Sequence, residues 1–198
     1  MAEPNVLHLT TNFLNTINDA FAGGGDASPG FAPGQLLKTK RLTKAQALAL
    51  SKTSVGTLYA GVYQYIQTLS TMTQAAVLGN ACFWKTASDY ENGIVSADGG
   101  ATVEGRFAGV FICVISKGSY GWIQTDGEAS CAFKSSVSDT TDGNAVVVTT
   151  TTFTFNSVAD ATANATYGTA KGVVGVCLEA AASSTVSKVL LKGNGRNF

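Results

Sequence analysis

Beyond residue 76, apolar and polar positions alternate in short runs, and each run is closed by a turn-forming pair. Residues 107–115 (Phe-Ala-Gly-Val-Phe-Ile-Cys-Val-Ile) form a nearly unbroken apolar run that predicts a strand covered on both faces. Lys117-Gly-Ser-Tyr-Gly121 then turns the chain. Residues 122–125 and 128–134 flank Asp126-Gly127 and predict a hairpin, because Asp-Gly suits turns that need positive φ at both central positions. After that pair Ala129, Cys131 and Phe133 fall on one face, with Glu128, Ser130, Ala132 and Lys134 on the other. Residues 145–155 are crowded with Val and Thr, which penalises a helix and predicts one pleated strand. In that strand Thr150, Thr152 and Thr154 line one face, opposite Thr151, Phe153 and Phe155. A strand over 172–178, a small-residue bend at 179–184 and a closing strand over 186–191 complete the pattern. Asn92-Gly93, Asp98-Gly99, Asp142-Gly143 and Asn194-Gly195 supply further turns.

Upstream the period changes. Leu9, Phe13, Ile17 and Phe21 recur every four residues and share one stripe of a helix over 5–21, which Gly23-Gly24-Gly25 would end. Residues 23–34 read as a Gly/Pro linker, and 43–51 as either a short Ala/Leu helix or part of an extended basic strap. Residues 57–73 fit both periods. Leu58, Val62, Ile66 and Leu69 have helical spacing, whereas Tyr59, Gly61, Tyr63 and Tyr65 alternate, and the Thr and Tyr content favours a strand. All three prolines lie in the first 33 residues, so the rest of the chain can pair its backbone without interruption. The resulting expectation is a mainly β protein, a compact antiparallel barrel or sandwich with an extended, partly helical N-terminal arm. Its organisation would be an arm and linker at 1–52, a connecting segment at 53–75, and a β body at 76–198.

Charge narrows the function. Thirteen basic residues balance thirteen acidic ones, so the chain has no net charge and lacks the excess of cations that binding to nucleic-acid phosphates requires. Only 13% of residues are charged, about half the usual share. Little self-repulsion therefore opposes assembly. Lys38, Lys40, Arg41 and Lys44 cluster in an acid-free stretch and read as a protein-contact arm or a solvated face. No apolar run approaches the length of a bilayer span, and the N-terminus lacks the pattern of a secretory signal, so a soluble cytoplasmic product is expected.

The equipment for chemistry is thin. His8 is the only histidine, so no oriented base stands beside a serine, and Gly118-Ser119-Tyr-Gly121 lacks the nucleophile-elbow spacing. Cys82, Cys113, Cys131 and Cys177 have no zinc-site spacing and read as small buried thiols or as one or two structural disulfides. Gly168-Thr-Ala-Lys171-Gly172 is not a phosphate cradle, and Asp139 with Asp142 is only a fragment of a calcium loop. Asp126 and Glu128 beside Trp122 are the one pairing that could serve a carboxylate enzyme or contact a sugar. Asp126 is more simply a turn former. No enzyme, cofactor or metal is expected.

Two stretches carry a family resemblance. Ala108-Gly-Val-Phe-Ile-Cys-Val-Ile-Ser-Lys-Gly-Ser-Tyr-Gly-Trp-Ile-Gln-Thr-Asp-Gly-Glu-Ala129 resembles the body of tailed-bacteriophage capsid decoration, or cement, proteins and of head-fibre base domains. Gly172-Val-Val-Gly-Val-Cys-Leu-Glu-Ala-Ala181 and Ser187-Lys-Val-Leu-Leu-Lys-Gly193 are similar to the closing strands of that group. The resemblance implies a β-rich, non-catalytic virion protein, often a homotrimer, made in the bacterial host cytoplasm and carried on the outer capsid surface. Its partners would be the major capsid protein and neighbouring decoration or head-fibre subunits, with no direct nucleic acid and no membrane. Tyr120 and Trp122 match aromatic positions of the family, with a structural role. Leu9, Phe13, Ile17 and Phe21, with Lys38, Lys40, Arg41 and Lys44, are the candidate contacts to capsid or subunits. The alternatives are a glycan- or receptor-binding head-fibre module and a small carboxylate-dependent enzyme.

Overall fold

The computed structural model describes residues 33–34, 36–39, 61–84, 86–98, 106–133, 142–148, 154–158, 173–180 and 186–192. The expected arm helix over 5–21, most of the linker over 23–34, the segment 43–51 and the Asn194-Gly195 turn lie outside them.

The described strands are β1 (Leu36–Thr39), β2 (Gly61–Thr68), β3 (Ala81–Trp84), β4 (Ile94–Val95), β5 (Arg106–Phe111), β6 (Tyr120–Ala132), β7 (Ala145–Val148), β8 (Phe155–Val158), β9 (Val173–Cys177) and β10 (Val186–Leu191). One six-residue helix, α1 (Ala87–Asn92), sits between β3 and β4. The strands form a single sheet ordered β1-β2-β6-β10-β9-β7-β8, with β3, β4 and β5 off this path. All ladders between these strands are antiparallel except that of β2 with the two-residue β4.

The sheet curls back on itself. Phe155 of β8 forms a parallel bridge to Phe133, one residue beyond β6, so β6, β10, β9, β7 and β8 make a near-closed barrel. On the other side of β6, the strands β2, β4, β3 and β5 close a second loop of pairings, completed by the bridge from Phe83 to Ser96.

Each loop encloses its own apolar cluster. Ala129, Cys131, Phe133, Val146, Val148, Phe155, Val174, Cys177, Val189 and Leu191 fill the first. Ile66, Met72, Ala76, Val95, Ala97, Cys113, Ile115 and Ile123 fill the second. The β3–β5 pair is the wall between them. Ala81, Phe83, Phe107 and Val110 join the first cluster, while Cys82, Trp84, Ala108 and Phe111 join the second. Strand alternation sends neighbouring side chains to opposite faces, so a wall with a core on each side must be apolar at every position. That is why residues 107–111 read as a strand covered on both faces. The strand itself ends at Phe111, and the chain bends before the bridge from Ile115 to Ala76.

The hairpin expected at Asp126-Gly127 does not form: β6 runs straight through it for 13 residues. Gly127 does adopt positive φ, at 89°, but within a strand rather than a turn. Against β2 the register slips, with Val62 opposite Asp126 and Tyr63 opposite Gln124, so Thr125 is the extra residue of a bulge. Its hydroxyl donates to the Val62 carbonyl. The buried Gln124 amide donates to the carbonyls of both Asp126 and Glu128, at 3.1 and 2.8 Å. Gly127 faces Gly61 of β2 and Leu191 of β10, and is the point where β6 passes from one partner to the other. A Cβ on Gly61 would sit 2.3 Å from the Asp126 carbonyl oxygen, so the close approach of β2 needs glycine there.

Two other readings change. The single strand expected over 145–155 is a hairpin instead, with Val148 of β7 opposite Phe155 of β8, because reversal lets the valines pair with β8 on one edge and β9 on the other. Asn92-Gly93 ends α1 rather than joining two strands, with Gly93 at φ 67° just past the last helical residue. Residues 61–68, 173–177 and 186–191 are strands as expected, and the turn at Lys117-Gly118 precedes β6.

Candidate functional site

Of the candidate contact residues, Lys38 lies in β1 opposite Val62. Leu9, Phe13, Ile17, Phe21, Lys40, Arg41 and Lys44 fall outside the described residues. β1 itself, drawn from the expected arm, is an edge of the main sheet path.

The aromatic group around Trp122 is a packing feature. Tyr65 and Trp122 are directly opposite in the β2–β6 register, with ring centroids 5.1 Å apart at 63°. Tyr120 stacks on Tyr65 at 6.2 Å and 11°. Trp122 is only 2% exposed, so it has no free ring face on which a sugar could stack.

Asp98, Asp89 and Glu179 each hold a bend or a helix start in the chain. Asp98 accepts hydrogen bonds from the Thr73 amide, the Thr73 hydroxyl and the Gln74 amide, at 2.6, 3.0 and 2.7 Å, and so pins the loop after β2. Asp89 and Thr86 exchange hydrogen bonds in a capping box that starts α1. The Thr86-Ala-Ser-Asp89 spacing is the sequence signal for that helix, which the reading of turns and strands missed. Glu179 accepts from the Ser187 hydroxyl and the Lys188 amide and closes the bend between β9 and β10. Glu128 pairs with Lys188 across β6 and β10 at 3.6 Å. Among the described residues no three His, Cys, Asp or Glu side chains are grouped to hold a metal ion. No described helix is long and apolar enough to cross a membrane.

The four thiols are buried and none is joined in a disulfide. Burial pushes Cys82 well above the ordinary thiol value of 9.0, although backbone hydrogen bonds pull the other way. Cys131 is likewise raised well above it, by burial and then by nearby Cys177. Cys177 is raised by burial and then by the charge of Asp142. Thiols held protonated at neutral pH are poor nucleophiles and poor metal ligands.

What the structure does present is an apolar outer surface on β9 and β10. Ser187, Val189 and Leu191 point inward, which turns Val186, Lys188 and Leu190 outward. Val186 is 54% exposed and Leu190 44%. On β9, Val176 stands opposite Leu190, and Leu178 follows it with its amide bonded to the Lys188 carbonyl. Leu178 and Val173 are also exposed. On β6 the same face carries Glu128, Ser130 and Ala132, opposite Leu190, Lys188 and Val186. The surface was partly legible beforehand: in Val186-Ser-Lys-Val-Leu-Leu191, apolar residues occupy both parities, so a strand with one buried face must leave some of them in water.

No family model and no curated protein matches this sequence. Among solved structures, one similar chain is the head fibre gp8.5 N base of bacteriophage phi29. It is 12% identical, with a TM-score of 0.41, over 66% of this chain and 92% of that one.

Proposed function

We propose that the chain is a virion structural module of a tailed bacteriophage, a head-fibre base or capsid decoration body that acts by presenting surface to other protein subunits. The supporting observation is the apolar outer face of β9 and β10, on a body where Asp98, Asp89, Glu179 and Glu128 serve a loop, a cap, a bend and a strand pairing. The two stretches that carry the family resemblance also come together, since β5 and β10 both pair with β6 and β9 pairs with β10. In this role the chain is made in the host cytoplasm, assembles as a homotrimer and sits on the outer capsid surface. Residues 1–52 act as the arm: Leu9, Phe13, Ile17 and Phe21 supply an apolar stripe to the major capsid protein, and Lys38, Lys40, Arg41 and Lys44 add charge contacts. Repetition over a symmetric shell makes modest individual contacts effective.

Co-sedimentation with undecorated capsids tests the reading. The unaltered chain is expected to pellet with the shells, and a Phe13→Asp/Ile17→Asp variant to stay in the supernatant with its β circular dichroism unchanged. A chain that ignores shells overturns the proposal, and a variant that still binds as well as the original overturns the role of the arm. Saccharide titration separates the receptor-binding form of the same module, which predicts saturable binding without shells.

A further inference from the structure

We infer that β1 is a detachable edge strand, held on β2 by a clasp in which Pro33-Gly34 seats on Gly93, and that it opens as a unit while the rest of the sheet stays paired. The inference goes beyond the proposed function, because it concerns the body alone and stands or falls without shells.

The clasp sits where one edge of β2 passes from one partner to the next. Gly61–Gln64 pair with β1, and Gln67 and Thr68 pair with β4. Between them the Gly34 amide donates to the Tyr65 carbonyl at 2.7 Å, and the Gln67 amide donates to the Gly93 carbonyl at 2.9 Å. Gly34 and Gly93 both have positive φ, 88° and 67°. A Cβ on Gly93 would lie 2.7 Å from the Gly34 nitrogen and 3.0 Å from both the carbonyl carbon and the Cβ of Pro33. Gly93 is therefore a notch, and the strap lies this deep only because no side chain fills it. The bond from Gly34 to Tyr65 depends on that seat.

Beyond the clasp, β1 is held by its ladder to β2. It ends the main sheet path, and among the described residues β2 is its partner strand. Leu36 is half-buried and belongs to neither apolar cluster. β2 stays in place without β1, because β6 pairs with it from Gly61 to Gln67 on the other edge. The length of the connection permits departure. Thr39 lies opposite Gly61, where a turn of about two residues would close a hairpin, yet residues 40–60 join the two strands. Elements that bury little apolar surface open ahead of the core. Once released, β1 carries Lys38 away from Val62 and bares the β2 edge from Gly61 to Gln64, a row of backbone groups able to take up another strand.

Native-state hydrogen exchange of the full chain, read by mass spectrometry on peptides from β1, β6 and β10, is the test. In the unaltered chain the amides of Gly34 and β1 are expected to exchange at least about tenfold faster than those of β6 and β10. Gly93→Asn is the deciding variant, since asparagine tolerates positive φ and adds the Cβ that the notch excludes. It is expected to speed exchange in β1 at least about tenfold further and to leave β6 and β10 unchanged. Gly143→Asn, at φ 86° with nothing within 4 Å of an added Cβ, is expected to leave β1 as it was. Should Gly93→Asn disturb folding, Pro33→Gly, which removes the ring that rests on Gly93, decides by the same criterion. A β1 that exchanges as slowly as β6 and β10 overturns the inference, as does a folded Gly93→Asn chain whose β1 exchanges like the original. Acceleration of all three strands together, or an equal acceleration of β1 in Gly143→Asn, also overturns it.

Discussion

At the scale of single residues, the thiols show how burial settles chemistry. Cys82 and Cys131 are fully enclosed, and their proton affinities rise because a thiolate would lose its hydration. The sign of the stability effect follows. A group whose folded value lies above its unfolded one stabilises the fold fully below the unfolded value, here 9.0, and the contribution is lost as pH climbs past it. Urea unfolding should therefore give a stability whose thiol contribution is level through neutral pH and declines above pH 9.0. Cys82→Ala should flatten part of that decline. Ellman's reagent at neutral pH should label the native protein only at its unfolding rate. Rapid labelling of the folded chain would contradict the burial assigned to these groups.

At the scale of elements, β6 is the instructive case. Its alternation was legible, since Ala129, Cys131 and Phe133 are buried and Glu128, Ser130 and Ala132 lie on the other face, as their order suggests. Its continuity was not. Asp-Gly signals positive φ, and Gly127 supplies it, but whether that residue reverses the chain or bends a strand depends on what pairs with either side. Here β2 and β10 both reach Gly127, and Gln124 satisfies two carbonyls around it. Gln124→Ala is expected to lower stability by about 1–3 kcal/mol, since it removes two buried hydrogen bonds and leaves their acceptors less satisfied. Chemical denaturation measures this, and a change within experimental error would show that the bulge holds without the amide. The β7–β8 hairpin teaches the same lesson. Its Val and Thr content correctly excluded a helix, yet composition carries no mark of where a run of β-formers doubles back.

For the whole molecule, the shared β3–β5 wall couples the two apolar clusters. A side chain lost from one side shifts a strand that the other side also packs against. Leu191→Ala, in the first cluster, should cost about 2–5 kcal/mol. Trp84 lies in the second cluster and Trp122 packs against Tyr65, so tryptophan fluorescence reports outside the first cluster while circular dichroism follows the whole sheet. Both signals are expected to shift to the same lower urea midpoint. Two separated transitions would show that the clusters unfold independently.

The sequence by itself determined the mainly β class, the positions of β9 and β10, the apolar filling of β5, and the absence of net charge. These follow from period-two alternation, β-branched content and simple counting, all of which are local. Only the tertiary structure decided that β6 is one strand, that β3 and β5 divide two cores, that Trp122 is enclosed, and that Val186 and Leu190 face outward together. Each of those depends on which strand lies alongside which. Pairing is set by contacts between residues far apart in the chain, so no local pattern contains it.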